Sequence, residues 1–242
     1  MKNTLICLAF IFTLNLCAQD TLFYDIDWKE TESLKKAEYY TIIIKDISDT
    51  NKVEERSYFK SQQIRQIIYY SSYNKYIRTG TSKTWYRTGK LKEEATSSEN
   101  KLNGKLQTFW DNGQIKRDDT YNMGKLIDGK IYNSDGTQVP YYDYEIAAQY
   151  PGGINELVRY LSTKIKYPKK ARRQNISGKV ILKFYVDTDG SIQNITVKQS
   201  VSEELDKEAI RVVKKMPKWD PAIFDGSKVK SYYLLPISFK FT

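Results

Sequence analysis

Histidine is missing from all 242 residues, and the two cysteines, Cys7 and Cys17, both stand near the N-terminus. The first absence removes the commonest general base and a common metal ligand in one step. If the N-terminal segment is removed on export, the second leaves no thiol: no disulfide, no cysteine–metal site, no cysteine nucleophile. Proline and glycine are not enriched, at six and twelve residues, so no long disordered linker is visible. No apolar run reaches the ~20 residues that a membrane-spanning helix needs. The carboxylates that could be asked to do chemistry are Asp187, Asp189, Glu203, Glu204 and Asp206. They fall in a turn and at a helix start, where carboxylates have ordinary structural work. The reading is therefore of a non-enzyme with no cofactor and no metal.

What is present begins at the N-terminus. Lys2 is followed by a mostly apolar stretch from Leu5 to Leu16, then Cys17-Ala18-Gln19-Asp20. One positive residue, a short apolar run and a small residue before a polar turn describe a secretory signal peptide over residues 1–18, cleaved after Ala18. The alternatives are an uncleaved anchor and a lipidated Cys17. The run is short for an anchor, and a lipoprotein signal would place a small residue where Leu16 stands. The expected location is the periplasm, or the inner membrane facing the periplasm if the segment is retained.

The net charge of +10 is unevenly spread. Ala147 to Thr242 holds eighteen Lys and Arg against nine Asp and Glu, whereas residues 1–146 are nearly balanced at 21 against 20. The densest cluster is Lys164, Lys166, Lys169, Lys170, Arg172 and Arg173. Such a cluster serves as a solvated basic face, or meets an acidic peptide or an anionic envelope surface. An exported protein does not normally meet nucleic acid, so no nucleic-acid partner is expected.

The middle of the chain repeats itself. Thr84-Trp85-Tyr86-Arg87-Thr88-Gly89-Lys90 returns 24 residues later as Thr108-Phe109-Trp110-Asp111-Asn112-Gly113-Gln114. Ile131-Tyr132-Asn133-Ser134-Asp135-Gly136 is a third copy, and Tyr58 to Arg65 a degenerate earlier one. A period in the low twenties marks one small unit stacked several times. Asn112-Gly113 and Asp135-Gly136 are strong hairpin-turn dipeptides. Each unit reads as an aromatic strand, a polar turn and a return strand, with the aromatics stacking along one face as the core. The spacing resembles MORN-type repeats, over about 58–137. Ahead of them, Glu38 to Ile47 and Val53 to Lys60 read as two strands across Ser48-Asp49-Thr50-Asn51. Residues ~36 to 140 read as one antiparallel array, within an all-β region assigned to 19–140.

From 147 to 242 the pattern changes. Ile154, Leu157, Val158, Leu161 and Ile165 mark one helix face. Tyr167-Pro168 closes it, because a residue before proline is pushed out of the helical region. Val180, Leu182, Phe184 and Val186 alternate as a strand, Asp187-Thr188-Asp189-Gly190 turns, and Ile192, Ile195 and Val197 return. Their phase slip predicts a bulge near Gln193-Asn194. A second helix carries Leu205, Ala209, Val212 and Met216 inward, with Ser200 or, one turn later, Ser202 as its N-cap. Trp219 reads as core. The last strand runs from Val229 to Phe241, with Ile237, Phe239 and Phe241 inward and Pro236 arguing for an edge.

The residues Tyr150-Pro151-Gly152-Gly153, Tyr167-Pro168, Gly178, Asp189-Gly190, Leu205-Asp206, Met216-Pro217-Lys218-Trp219 and Pro236-Ile237-Ser238-Phe239 together resemble the C-terminal domain of TonB-family proteins. The expected fold class is α+β: a three-stranded antiparallel sheet packed with two helices, after the all-β region. The resemblance implies strand order 2-1-3 with the last strand at the edge. It also implies that an outer-membrane transporter's TonB-box-like peptide, or another envelope protein, is held there by strand addition. It carries that role onto Val229, Lys230, Ser231, Tyr232, Tyr233, Leu234 and Leu235, and secondarily onto Lys166, Tyr167 and Pro168. The transducing members join a membrane helix to this domain by a proline-rich spacer, which this sequence does not show. An anchored energy transducer and an envelope scaffold stay open as alternatives.

Overall fold

The computed structural model describes residues 19–26 and 28–240. The expected signal segment and Phe241 lie outside them. The chain divides into two compact units between Tyr141 and Tyr142. Among the described residues no helix is long and apolar enough to cross a membrane.

The first unit is all strand: β1 (Gln19–Tyr24), β2 (Glu30–Thr31), β3 (Tyr39–Lys45), β4 (Val53–Phe59), β5 (Ile64–Ser72), β6 (Ile77–Arg78), β7 (Gly80–Trp85), β8 (Leu91–Ser98), β9 (Lys101–Phe109), β10 (Ile115–Asn122), β11 (Lys125–Tyr132) and β12 (Gln138–Val139). These form one antiparallel sheet in the order β12-β11-β10-β9-β8-β7-β5-β4-β3-β1-β2, with β6 beside β5. β1 extends the array towards the N-terminus by pairing with β3 from Gln19↔Ile44 to Tyr24↔Tyr39.

The repeat is visible as four superposable turns. Phe59, Tyr86, Trp110 and Asn133 each donate an N–H to the carbonyl four residues on, at 2.8–2.9 Å. Each carbonyl in turn accepts from the residue three on: Gln62, Gly89, Gly113 or Gly136. That third residue has φ of 67°, 86°, 93° and 87° in the four turns. This is the three-residue hairpin loop with a left-handed bulge residue, which glycine fits without strain. At the other ends, β8 and β9, and β10 and β11, are joined through Glu99-Asn100 and Met123-Gly124, all four with positive φ. That is the two-residue hairpin turn that matches strand twist.

The repeat's aromatics do not supply the expected core by themselves, although Tyr58 stacks on Tyr40 at 4.9 Å. Tyr86 and Trp110 are half-buried, and their polar tips reach the next hairpin: Tyr86 Oη to Phe109 O at 2.7 Å, Trp110 Nε1 to Tyr132 O at 2.9 Å. A ring with a polar tip is better placed where the tip finds a partner. The buried face is instead mainly aliphatic, with Ile43, Val53, Ile68, Leu106 and Ile131 below 5% exposed. It also holds a fully buried ion pair, Arg117 to Asp119 at 2.8 Å.

The second unit has the expected α+β architecture. It contains β13 (Glu145–Ile146), α1 (Gly153–Lys164), α2 (Lys169–Arg173), β14 (Gly178–Val186), β15 (Ile192–Gln199), α3 (Glu203–Val213), β16 (Ala222–Phe224), β17 (Ser227–Val229) and β18 (Ser231–Phe239). The main sheet has the order β15-β14-β18, antiparallel throughout. Val180, Leu182, Phe184 and Val186 are fully buried on one face of β14, against Leu205, Ala209 and Val213 of α3. Each of these valine, leucine and phenylalanine side chains contributes roughly 1.5–3 kcal/mol when buried.

Four details differ from, or sharpen, the sequence reading. Ser202, not Ser200, caps α3 by accepting the Leu205 N–H, while Ser200 Oγ bonds Asp206. The bulge falls at Asn194, whose φ is 52°, between the pairs Tyr185↔Gln193 and Lys183↔Thr196. Ile154 and Val158 are 64% and 58% exposed, because α1 turns Leu157, Tyr160 and Leu161 inward and leaves these two on its flank. A second small sheet, β13-β16-β17, and the five-residue α2 were not foreseen.

Candidate functional site

β18 is an open edge, and its register fixes which backbone groups face outward. It pairs with β14 without a break from Val186↔Ser231 to Gly178↔Phe239. In an antiparallel pair, residues alternate between bonding the partner and pointing away from it. Pro236 has no N–H, so its pair with Ile181 is a non-bonded one. The other side of β14 agrees: Asp187 N–H bonds Ser191 O on the β15 side at 2.9 Å, so odd-numbered residues of β14 turn their backbone to β15. Even-numbered residues of β14 therefore bond Ser231, Tyr233, Leu235 and Ile237. Tyr232 and Leu234 direct both N–H and C=O away from the sheet, and Ser238 does so beyond the proline.

The side chains follow the same alternation. Leu235, Ile237 and Phe239 are buried, whereas Tyr232 and Leu234 are 60% and 50% exposed. They stand on the sheet face opposite the helices. Lys183 Nζ lies 4.6 Å from the Tyr232 ring centroid and 5.3 Å from that of Tyr185, and Lys230 Nζ lies 5.4 Å from Tyr185. The open edge is thus bordered by tyrosine rings carrying ammonium groups.

The edge is held rigid from behind. Trp219 packs on Phe184 at 5.3 Å and on Tyr233 at 4.8 Å between centroids, both edge-on. The Trp219 backbone N–H donates to Gly190 O at 2.8 Å. A Cβ on Gly190 would fall 2.2 Å from the Trp219 carbonyl oxygen, so only glycine lets this turn approach.

The expected segment Val229 to Leu235 is not one strand. Val229 belongs to β17 and pairs with Ala222 in the small sheet, Lys230 is the link, and Ser231 to Leu235 form the first half of β18. The cause is the Asp225-Gly226 turn, with φ of 46° and 78°, which folds β16 and β17 into their own hairpin. Lys166, Tyr167 and Pro168 form the connector from α1 to α2. The Tyr167 ring meets Phe239 edge-on at 5.9 Å, so it marks the far end of β18 from Ser231. The two expected segments are not brought side by side.

That connector is pinned by a residue the sequence reading passed over. Glu208 of α3, 9% exposed, accepts the Lys166 N–H at 2.6 Å and two bonds from Arg211 at 2.7 Å. Arg211 also donates to Lys164 O at 2.9 Å. Burial would raise the Glu208 carboxyl, but the Arg211 guanidinium and the Lys166 N–H overturn this and hold it below the usual carboxylate range. The signal was a carboxylate three residues after Leu205 on an apolar helix face. Of the basic cluster, Lys170 is ion-paired with Glu204.

Residues 163–241 match the family described as Gram-negative bacterial TonB protein C-terminal. This TonB C-terminal match takes in β14, β15, α3 and β18 and begins at the end of α1. Protein TonB of Vibrio cholerae serotype O1 is 34% identical over 76 residues, which are 31% of this chain and 31% of that protein. The chain thus spans about a third of the length of the curated relative it matches. Two solution structures of the Helicobacter pylori TonB C-terminal domain are also similar. One, of residues 194–285, is 24% identical, with a TM-score of 0.29, and covers 36% of this chain and 90% of its own. The other, of residues 179–285, is 25% identical, with the same TM-score, and covers 38% and 87%.

Proposed function

We propose that the chain is an exported, periplasm-facing protein whose TonB C-terminal domain holds an extended peptide of an outer-membrane transporter by adding it beside β18. In this reading it serves energy-coupled transport across the outer membrane, and residues 19–140, with MORN-type hairpin repeats, act as a scaffold before it. The observation that carries the reading is the contrast among sheet edges. The large sheet ends in two-residue strands, β12 and β2, which cover β11 only at Ile131 and Tyr132 and β1 only at Phe23 and Tyr24; the rest of those two edges carries charge, at Lys125, Asp128 and Lys130 and at Asp20, and the small sheet ends in strands of two and three residues. Short or charged edges are the ordinary protection against stray pairing. β18 is nine residues long, carries no charge and is unpaired on its outer side among the described residues. Its opposite number, β15, is broken by the bulge at Asn194 and carries Lys198.

Main-chain bonds supply the affinity, with side-chain contacts at Tyr232 and Leu234 adding selectivity. Ordering a flexible peptide costs about 2–5 kcal/mol, so binding is expected to be modest. The test is calorimetric titration of the whole chain with the periplasm-facing N-terminal peptides of the host's outer-membrane transporters. Saturable binding by at least one is expected. Absence of binding across the set would overturn the reading.

A further inference from the structure

We infer that Pro236 is a stop built into the β18 edge, so that the partner engages by a short extended segment of about five residues laid along Ser231 to Leu235. The inference rests on the strand-addition reading and sets the length and phase of what is added.

The argument is one of donors and space. An added strand takes bonds from the residues of β18 that face outward, which are Tyr232 and Leu234, then position 236, then Ser238. At 236 the outward position holds no N–H, and the pyrrolidine ring lies where an incoming carbonyl would approach. A partner carbonyl placed there loses its bond to the strand. The added strand gains no main-chain bond at this position. The ladder therefore ends at Leu234 on the donor side. Ser238 cannot be reached without crossing the gap.

The side chains divide at the same place. On the open face Tyr232 and Leu234 are large, exposed and apolar, and Tyr232 carries the Lys183 ammonium. Beyond the proline the outward residue is the small, polar Ser238. Behind it the connector approaches, with Tyr167 against Phe239. The stretch that can bond and the stretch that can grip coincide, and both stop at Pro236.

The experiment uses the whole chain. A phage library of random nonapeptides is panned on it, and binders lost on Tyr232→Pro are kept as edge binders. A chosen nonapeptide and its five-residue core are then titrated against the native chain and Pro236→Ala. Alanine restores the missing N–H, and circular dichroism checks that the variant is folded. The native chain is expected to bind the core within about threefold of the nonapeptide. Pro236→Ala is expected to bind the nonapeptide three- to tenfold more tightly and the core unchanged. Equal affinity of the nonapeptide for both chains, or a core that binds more than tenfold worse than the nonapeptide to the native chain, would overturn the stop. If panning yields no edge binder at all, strand addition itself falls, and the stop with it.

Discussion

Tyr232 and Tyr233 are neighbours whose backbones face opposite ways. Proline at Tyr232 deletes an outward N–H and leaves the β14 ladder intact, so peptide binding should fall at least tenfold with little change in urea stability. Proline at Tyr233 deletes a bond to β14 and should instead destabilise the domain clearly more than proline at Tyr232 does, read by urea melts. Equal effects of the two on stability would contradict the register. Glu208 makes a second residue-scale prediction. Its pKa is lower in the folded state than its ordinary value, so it stabilises the fold above ~4.5, and that contribution is lost as pH falls through the folded value. Urea melts from pH 7 to pH 3 should show this slope, and Glu208→Gln should flatten it while lowering stability at pH 7. A third concerns Asp119. Asp119→Ala removes the carboxylate 2.8 Å from the buried Arg117 guanidinium and should destabilise the first unit, seen as a lower urea midpoint. Glu208 showed in the sequence only as a carboxylate at the spacing of an apolar helix face, and the Arg117–Asp119 pair was not legible. Spacing can place a charge on a face, but only the packed structure shows the partner that holds it there.

At the scale of elements, the repeat and the strand alternation were legible because period and turn chemistry are local. Gln62 is the informative exception. It takes the left-handed position that glycine holds in the other three turns, so the degenerate copy keeps the geometry and bears the strain. Gln62→Gly should stabilise the first unit by up to ~1 kcal/mol, seen as a higher urea midpoint with unchanged slope. A lower midpoint would mean that the side chain has work the turn does not explain. Elements that depend on distant partners were not legible. β13 is two residues long and exists because Ile146 meets Ile223 across 77 positions of sequence. Val229 was read into the final strand because its apolar character fits either hairpin. The Asp225-Gly226 turn decides the matter. The edge position of β18 was legible from Pro236 and the family resemblance, but the outward phase of Tyr232 and Leu234 needed the register.

On the scale of the whole molecule, two units of different construction follow one another along the chain. Limited proteolysis should cut near Tyr141-Tyr142 and leave a stable C-terminal fragment. A fragment of residues 142–242 that fails to fold when expressed alone would show that the units depend on each other. The central claim is that β18 accepts a further strand through Tyr232 and Leu234, and backbone amide hydrogen exchange reads it most directly. In the free chain the amides of Tyr233 and Leu235 should be protected by β14, and those of Tyr232 and Leu234 should exchange quickly. Addition of a bound transporter peptide should slow Tyr232 and Leu234 selectively. If the peptide binds and these two amides exchange as before, the peptide is held elsewhere and the account is wrong.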